Sequence, residues 1–175
     1  MKRIICLILT VVFLLLPGCH YSESGDILEP VEFYYPRKSD HFIYGSESGV
    51  LAAEVREGSG HIGDLNYLLS MYLRGPQDEN LRSPFPANCT LKEVRSGDGT
   101  LCIVLSGELT TLENAELTIA CASLAKTCMS ISDVQRVRID AESDKNAFTI
   151  TLDADSLLLA DHSAFEIQSN TEESQ

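Results

Sequence analysis

The segment from residue 74 to residue 91, RGPQDENLRSPFPANCTL, places three prolines and one glycine between two patterned stretches of the chain. Glycine adopts the left-handed conformation that commonly ends a helix, and proline can neither continue a helix nor donate a hydrogen bond to a β-ladder. Gly75-Pro76 therefore predicts the end of a helix, and Pro84 and Pro86 predict an extended, stiff connection. This connection constrains the fold because it fixes where one element stops and where the next one starts.

An amphipathic run precedes this connection. Its apolar residues recur at the spacing i, i+3, i+4 and i+7, at Leu65, Leu68, Leu69 and Tyr72. This spacing places them on one face of a helix. Asp64 comes directly before the run, and aspartate is a favoured N-cap residue. The sequence therefore predicts a helix that begins after Asp64 and ends at Gly75-Pro76.

Alternating apolar residues follow the connection on both sides of Ser96-Gly97-Asp98-Gly99, which predicts a β-hairpin with a glycine-bearing turn. A second helix is predicted from Leu112 to Ser130. Its apolar residues cover more than one narrow stripe: Ala115, Leu117, Ile119, Cys121, Ala122, Leu124, Cys128 and Met129. We therefore expect this helix to be buried on a broad face and to lie across a sheet.

Further segments have the β-branched, aromatic or alternating composition of strands: 31–36, 41–45, 49–57, 134–141 and 147–154. The residues ESDKN form the predicted turn between the last two of them. Strands, helix, hairpin, helix and hairpin in this order predict an α+β fold. We expect a single small domain with two helices packed on a β-sheet built largely of hairpins.

The N-terminus has the pattern of a signal peptide. Lys2 and Arg3 precede a largely apolar run from Ile4 to Leu16, which is short for a bilayer span. Leu16-Pro17-Gly18-Cys19 resembles the bacterial lipoprotein signal, in which the cysteine is lipidated and becomes the first residue. Acyl chains such as palmitate on Cys19 would anchor the protein to the membrane. The alternative is ordinary secretion with a chance cysteine at this position.

The predicted organisation is a signal peptide over residues 1–18, a polar tether over 19–30, the folded domain over 31–165 and a disordered acidic tail over 166–175. This organisation predicts a protein at the extracytoplasmic face of the cell membrane, held there by lipid. A net charge of −13 argues against a nucleic-acid partner, because nucleic acids are bound by clustered cations.

The remaining cysteines are Cys89, Cys102, Cys121 and Cys128. Cys121 and Cys128 are seven residues apart on the second predicted helix, about 10 Å along its axis, which is too far for a mutual disulfide. The sequence contains no CxxC pair, the spacing that would indicate a zinc site. The favoured interpretation is that these residues are small buried hydrophobes, and one disulfide between different elements is the alternative.

No group of residues indicates catalysis. Asp153-Ala154-Asp155-Ser156 could contact calcium but lacks the glycine and glutamate of an EF-hand, so a solvated strand end is the favoured interpretation. The histidines each stand alone among polar neighbours, at positions His20, His41, His61 and His162. We expect no catalytic residues, no metal site and no cofactor, and therefore a protein that is not an enzyme.

A family resemblance rests on the proline-rich connection and its neighbours. Leu68-Leu69, Tyr72-Leu73, Gly75-Pro76, Leu81, Ser83-Pro84 and Pro86, followed by the hairpin and the run TIACASLAKT, resemble the GerMN domain of spore-germination and sporulation proteins. The resemblance implies a compact α+β module that scaffolds protein complexes outside the membrane, often as a lipoprotein. It supplies no catalytic residues to carry over.

These observations predict a non-catalytic scaffold or protein-interaction module in the cell envelope, in sporulation or spore germination, with an unidentified envelope protein as partner. The alternative is a binding module for a small ligand or a cell-wall glycan. Its platform would be the aromatic cluster Phe33, Tyr34, Tyr35, Phe42 and Tyr44. Burial of these rings in the core is the favoured interpretation of that cluster.

Overall fold

The computed structural model describes residues 29–38, 49–142 and 147–160. The described residues contain six strands and two α-helices: β1 (Pro30–Pro36), β2 (Leu51–Glu57), α1 (Leu65–Leu73), β3 (Leu91–Gly97), β4 (Thr100–Ser106), α2 (Asn114–Ile131), β5 (Arg136–Glu142) and β6 (Ala147–Asp153). Short 3-10 segments at Gly107–Thr111 and Asp155–Ala160 follow β4 and β6. The predicted α+β fold is confirmed, although the strands form two sheets rather than one.

Helix α1 has the predicted ends. The Asp64 side chain accepts a hydrogen bond from the backbone N–H of Tyr67, so it is the N-cap. Gly75 has a φ of 93°, the left-handed conformation that glycine adopts readily, and its N–H donates to the Tyr72 carbonyl over 3.0 Å. The apolar stripe faces the core, with Leu68, Leu69 and Tyr72 fully buried and Leu65 half-buried.

Strands β3 and β4 form the predicted hairpin. Gly97 pairs with Thr100, so the turn contains only Asp98 and Gly99. Both turn residues have positive φ, 50° and 68°, which is the geometry of a type I′ turn. This turn matches the right-handed twist of the flanking strands and sets their register.

The larger sheet has the strand order β3-β4-β5-β6. Its hairpins β3-β4 and β5-β6 are antiparallel, but the central pair β4-β5 is parallel. A parallel pair needs a crossover connection, and α2 supplies it. The inward residues of the two central strands are fully buried: Leu101, Ile103, Leu105, Val137, Ile139 and Ala141.

Helix α2 is buried on a broad face, as predicted, and packs between the two sheets. It starts at Asn114 rather than Leu112, because the chain first makes the 3-10 segment Gly107–Thr111 and then passes through Leu112 in an extended conformation. Ala115 is exposed, so the apolar face begins later than the sequence pattern suggested.

Strands β1 and β2 form a separate antiparallel hairpin. Phe33 and Tyr35 are completely buried beneath it and join the same core as α1 and α2. The outer edge of β1 lies along α2, where the Tyr34 N–H donates to Thr127 Oγ1 over 2.9 Å. The Thr127 side chain of α2 thereby satisfies the Tyr34 N–H, which an edge strand would otherwise leave exposed.

Several predictions lie outside the described residues. They are the signal peptide, Cys19, nearly all of the tether, the strand at 41–45, most of the ESDKN turn and the acidic tail.

Candidate functional site

The connection between α1 and β3 is held by two charged side chains of β2. Arg56 is 7% exposed and its Nη2 donates a 2.7 Å hydrogen bond to the Gly75 carbonyl. Its guanidinium also lies over the rings of Phe33 and Tyr35, 5.4 and 5.6 Å from their centroids. These cation–π contacts and the charged hydrogen bond fix the end of α1 against the β1-β2 hairpin.

Glu54 completes this arrangement. One carboxylate oxygen pairs with Arg56 Nε, and the other accepts the backbone N–H groups of Gln77 and Asp78, each over 2.8 Å. The chain immediately after Pro76 therefore folds around the Glu54 carboxylate. Because both oxygens have partners, this largely buried charge is compensated.

The rest of the connection pairs with the end of β1. The Arg82 N–H donates to the Pro36 carbonyl over 2.9 Å, and the Lys38 N–H donates to the Asn80 carbonyl over 3.0 Å. Leu81 lies between these bonds, forms a β-bridge with Arg37 and is 4% exposed. The connection is thus anchored by backbone pairing as well as by the β2 side chains.

The final prolines of the connection support a small apolar cluster. Pro84 and Phe85 are buried, and the Phe85 ring meets the edge of Tyr72 with centroids 5.7 Å apart. Ser83 Oγ accepts the Phe85 N–H over 3.3 Å, and the Pro86 carbonyl accepts the Cys89 N–H over 3.0 Å. These contacts bend the chain toward β3.

We call the connection over residues 75–86 the braced linker. It contains all the motif residues predicted from the sequence: Gly75, Pro76, Leu81, Ser83, Pro84 and Pro86. Sequence reasoning missed its two braces. Glu54, Arg56 and Glu57 lie together in the short strand LAAEVRE, and nothing in this local pattern marks Glu54 and Arg56 as a buried pair.

A tyrosine network lies directly beneath the braced linker. Tyr35 OH donates to the Tyr72 carbonyl over 2.8 Å, and Tyr72 OH lies 2.8 Å from Ser123 Oγ and 3.0 Å from the Tyr34 carbonyl. Burial raises the pKa of both Tyr35 and Tyr72, so both phenols stay neutral and act as donors. Ser123 and Thr127 were also missed, although polar residues four apart on an apolar helix face are a recognisable signal.

The aromatic cluster considered as a ligand platform is only partly described. Phe33 and Tyr35 are completely buried, as the core interpretation expected. Tyr34 is half-buried, and the Lys126 ammonium lies over its ring, 4.8 Å from the centroid. Phe42 and Tyr44 fall outside the described residues.

The Asp153 side chain, at the acidic strand end, accepts hydrogen bonds from Ser156. Ser156 donates to Asp153 Oδ1 through its backbone N–H over 2.9 Å and its hydroxyl over 2.6 Å. These hydrogen bonds lower the pKa of Asp153. A cleft of about 670 Å³ adjoins it and is lined in part by Met129, Arg136 and Asp155. Within 29–38, 49–142 and 147–160, no group of three or more His, Cys, Asp or Glu could hold a metal ion.

The described histidine and cysteines are stacked on, or wholly or partly buried among, other side chains. The His61 ring stacks on Tyr67 with centroids 3.8 Å apart, whereas His20, His41 and His162 fall outside the described residues. Four cysteines are free thiols, of which Cys102 is half-buried and the others are buried: Cys89, Cys102, Cys121 and Cys128. Burial raises the pKa of Cys89 to about 11 and that of Cys121 to about 12. The interpretation as small buried residues therefore fits better than a disulfide.

No helix in the described part of the chain is long and apolar enough to cross a membrane.

Comparison with solved structures finds a similar chain described as tandem GerMN domains of the sporulation protein GerM from Bacillus subtilis. The identity is 19% and the TM-score is 0.48, over 66% of this chain and 39% of that one. This chain thus matches well under two thirds of that protein's length. No curated protein sequence matches significantly.

The family comparison shows where along the chain the match lies. The family named Germane, described as "Sporulation and spore germination", matches residues 32–146, which include the β1-β2 hairpin, the braced linker and α2. The resemblance that the linker motif indicated is therefore confirmed. The chain belongs to the Germane family of sporulation and spore-germination proteins and contains a GerMN-type α+β domain.

Proposed function

We propose that this protein is a lipid-anchored, non-catalytic interaction module at the extracytoplasmic face of the cell membrane that acts in sporulation or spore germination. The observation that carries the proposal is the family match over residues 32–146. The anchoring part is supported by the Leu16-Pro17-Gly18-Cys19 sequence behind a short apolar run. A lipid on Cys19 would place the domain beside the membrane, at a distance set by the polar tether predicted over residues 19–30.

The braced linker supports an interaction role. Its residues Gln77, Asp78, Glu79 and Asn80 are exposed, while its backbone is held by Glu54, Arg56 and the end of β1. A rigid backbone that presents exposed polar side chains loses little conformational entropy on binding. Such a surface suits recognition of a folded partner better than it suits catalysis.

Anchoring is tested with Cys19→Ala in sporulating cells. We expect the wild-type protein to fractionate with membranes and to carry a lipid on Cys19 by mass spectrometry, and the variant to lose both properties. A wild-type protein that is soluble and unmodified would refute the anchor. Cys102→Ala is the matched control, because this half-buried cysteine is far from the signal in sequence and should leave fractionation unchanged.

The interaction role is tested by photocrosslinking from residue 79 in the exposed part of the braced linker. We expect one defined envelope protein to be crosslinked during sporulation or germination, and spores from a strain without the gene to form or germinate less efficiently. Recovery of no specific protein at any stage, with normal sporulation and germination, would contradict the proposal. A crosslinker at Asn66, on the exposed face of α1, controls for proximity alone.

A further inference from the structure

The β1-β2 hairpin has one covered edge and one uncovered edge. The Arg37 N–H donates to Val50 O, and the Gly58 N–H donates to Glu29 O, at the two ends of the ladder. Because bonded and non-bonded pairs alternate along an antiparallel ladder, the backbone groups of Ala53, Val55 and Glu57 point away from β1. The described residues provide no backbone partner for these groups.

The opposite edge of the hairpin, on β1, has the same alternation of outward backbone groups. Tyr34 stands opposite Ala53, and its N–H and carbonyl point away from β2 to Thr127, Tyr72 and Ser123. Helix α2 therefore covers the edge of β1, whereas the edge of β2 has no corresponding cover in the described part of the chain. Strand β2 also contains no proline and no bulge, two of the devices that block an exposed edge.

Apolar side chains lie beside this free edge. Val55 is 47% exposed and Ile62 is 55% exposed, and no other large hydrophobic residue among those described is as exposed. Both line a groove of about 470 Å³ that extends from Val55 over the start of β1 to Leu68 and Ile131. Val55 stands on β2 itself and offers an apolar contact to side chains of a strand placed next to β2, and Ile62 continues this apolar surface along the groove.

The loop that carries Ile62 is held in place. The Glu29 carbonyl accepts the Gly58 N–H over 2.9 Å, and the Glu29 carboxylate accepts the Gly60 N–H over 2.8 Å. A Cβ on Gly58 would lie only 2.8 Å from Ile62 Cδ1, so the loop packs tightly on its own glycine. The groove is therefore formed before any partner arrives.

The charge around the groove is acidic. Glu32 lines it directly opposite Val55, and Glu57 and Glu29 stand at the same end of the hairpin. Among the described residues, no lysine or arginine lines the groove. An occupant with lysine or arginine side chains beside apolar ones would match both the charge and the apolar contacts.

We propose that the free edge of β2 accepts an extended, basic segment of another protein as a third strand. The segment's backbone pairs with Ala53, Val55 and Glu57, alternate apolar side chains pack on Val55 and Ile62, and its basic side chains meet Glu32 and Glu57. This is strand addition, in which main-chain hydrogen bonds supply affinity and side-chain pockets supply specificity. The proposal rests on the proposed interaction role and gives the domain a second contact surface, besides the exposed part of the braced linker, with a stated partner chemistry.

The test uses the full chain in detergent micelles and a phage-displayed library of random twelve-residue peptides as the probe. We expect enrichment of peptides with alternating apolar residues and lysine or arginine. Val55→Pro removes one outward N–H without breaking the ladder to β1, so it should weaken binding of these peptides at least tenfold. Ile62→Ser, which leaves β2 intact, should weaken binding severalfold, and Asn66→Ser on α1 should leave it unchanged.

Amide hydrogen exchange distinguishes strand addition from other modes of docking. The amides of Ala53, Val55 and Glu57 should exchange quickly in the free protein and slowly with an enriched peptide, while those of Glu54 and Arg56 are protected in both states. Failure to enrich any peptide, binding without this protection, or enrichment of acidic peptides would overturn the proposal. So would protection of the same amides in the protein alone as its concentration rises, because the occupant would then be a second copy.

This test is independent of the lipid anchor. Its failure would remove the β2 edge as the binding surface, whereas failure of the crosslinking and fractionation experiments would remove the proposed function itself.

Discussion

The pair formed by Glu54 and Arg56 provides a quantitative test of the braced linker. Their side chains are 10% and 6% exposed, and together they hold the Gly75 carbonyl and the amides of Gln77 and Asp78. Replacing Arg56 by Met removes a charged hydrogen bond and leaves the Glu54 carboxylate without its cation. Breaking a buried pair from one side costs about 3–5 kcal/mol. We expect the lower end, about 3 kcal/mol, because Glu54 keeps its two amide donors.

A double-mutant cycle separates the interaction from the rest of the cost. Glu54→Gln retains an acceptor for the linker amides but removes the charge, and we expect it to lower the free energy of unfolding by about 2 kcal/mol. The double variant should lose about 3 kcal/mol rather than the sum of about 5, because the second substitution removes a charge that the first has already left unpaired. The assay is urea denaturation of all four proteins at pH 7, followed by fluorescence of the buried tyrosines.

The β3 strand offers a matched control with the same Glu-x-Arg spacing. Glu93 and Arg95 form a pair of 3.3 Å, but their side chains are 53% and 62% exposed. Because solvent screens such a pair, the same substitutions there should change stability by no more than about 0.5 kcal/mol. Additive effects of Glu54→Gln and Arg56→Met within about 0.5 kcal/mol would refute the interpretation of these residues as a coupled brace.

Three further predictions concern the backbone, a buried helix residue and pH. Gly75→Ala should destabilise the protein by about 1–2 kcal/mol in urea denaturation because of its φ of 93°, whereas Gly97→Ala, without positive φ, should have a smaller effect. Thr127→Val should lower the free energy of unfolding by about 1–3 kcal/mol, because it leaves the Tyr34 N–H without its acceptor. Slower hydrogen exchange of the Tyr34 amide in the variant than in the wild type would contradict this role. Burial raises the pKa of Cys121 from 9.0 to about 12, so its contribution to stability is complete below pH 9 and is lost as pH rises toward 12; Cys121→Ala should reduce that alkaline loss.

The elements with local signals were predicted from the sequence with nearly correct bounds. Helix α1 was recognisable from the N-cap Asp64, an apolar stripe and the Gly75-Pro76 stop, all within thirteen residues. The β3-β4 hairpin was recognisable because Asp98-Gly99 suits a type I′ turn. In both cases the residues that specify the structure contact each other within one turn, so no distant part of the chain was needed.

The candidate site was only half predictable. The motif from Gly75 to Pro86 was identified from the sequence, and the family match confirmed the resemblance that it indicated. The side chains that hold it were not identified, because Glu54 and Arg56 lie about twenty residues earlier on a separate hairpin. Whether a charged residue on a strand faces solvent or a carbonyl depends on which element packs against it, and composition does not contain that information.

The sequence by itself therefore determined where the chain turns, where its first helix stops and which residues alternate between core and solvent. Only the tertiary structure decided that the strands divide into two sheets, that β4 and β5 are parallel, and that α2 covers the edge of β1 while β2 remains open in the described part of the chain. The physical reason is range. Turns and caps are settled by neighbours within a few residues, whereas strand pairing and edge protection are settled by hydrogen-bond partners that the fold brings together from distant positions.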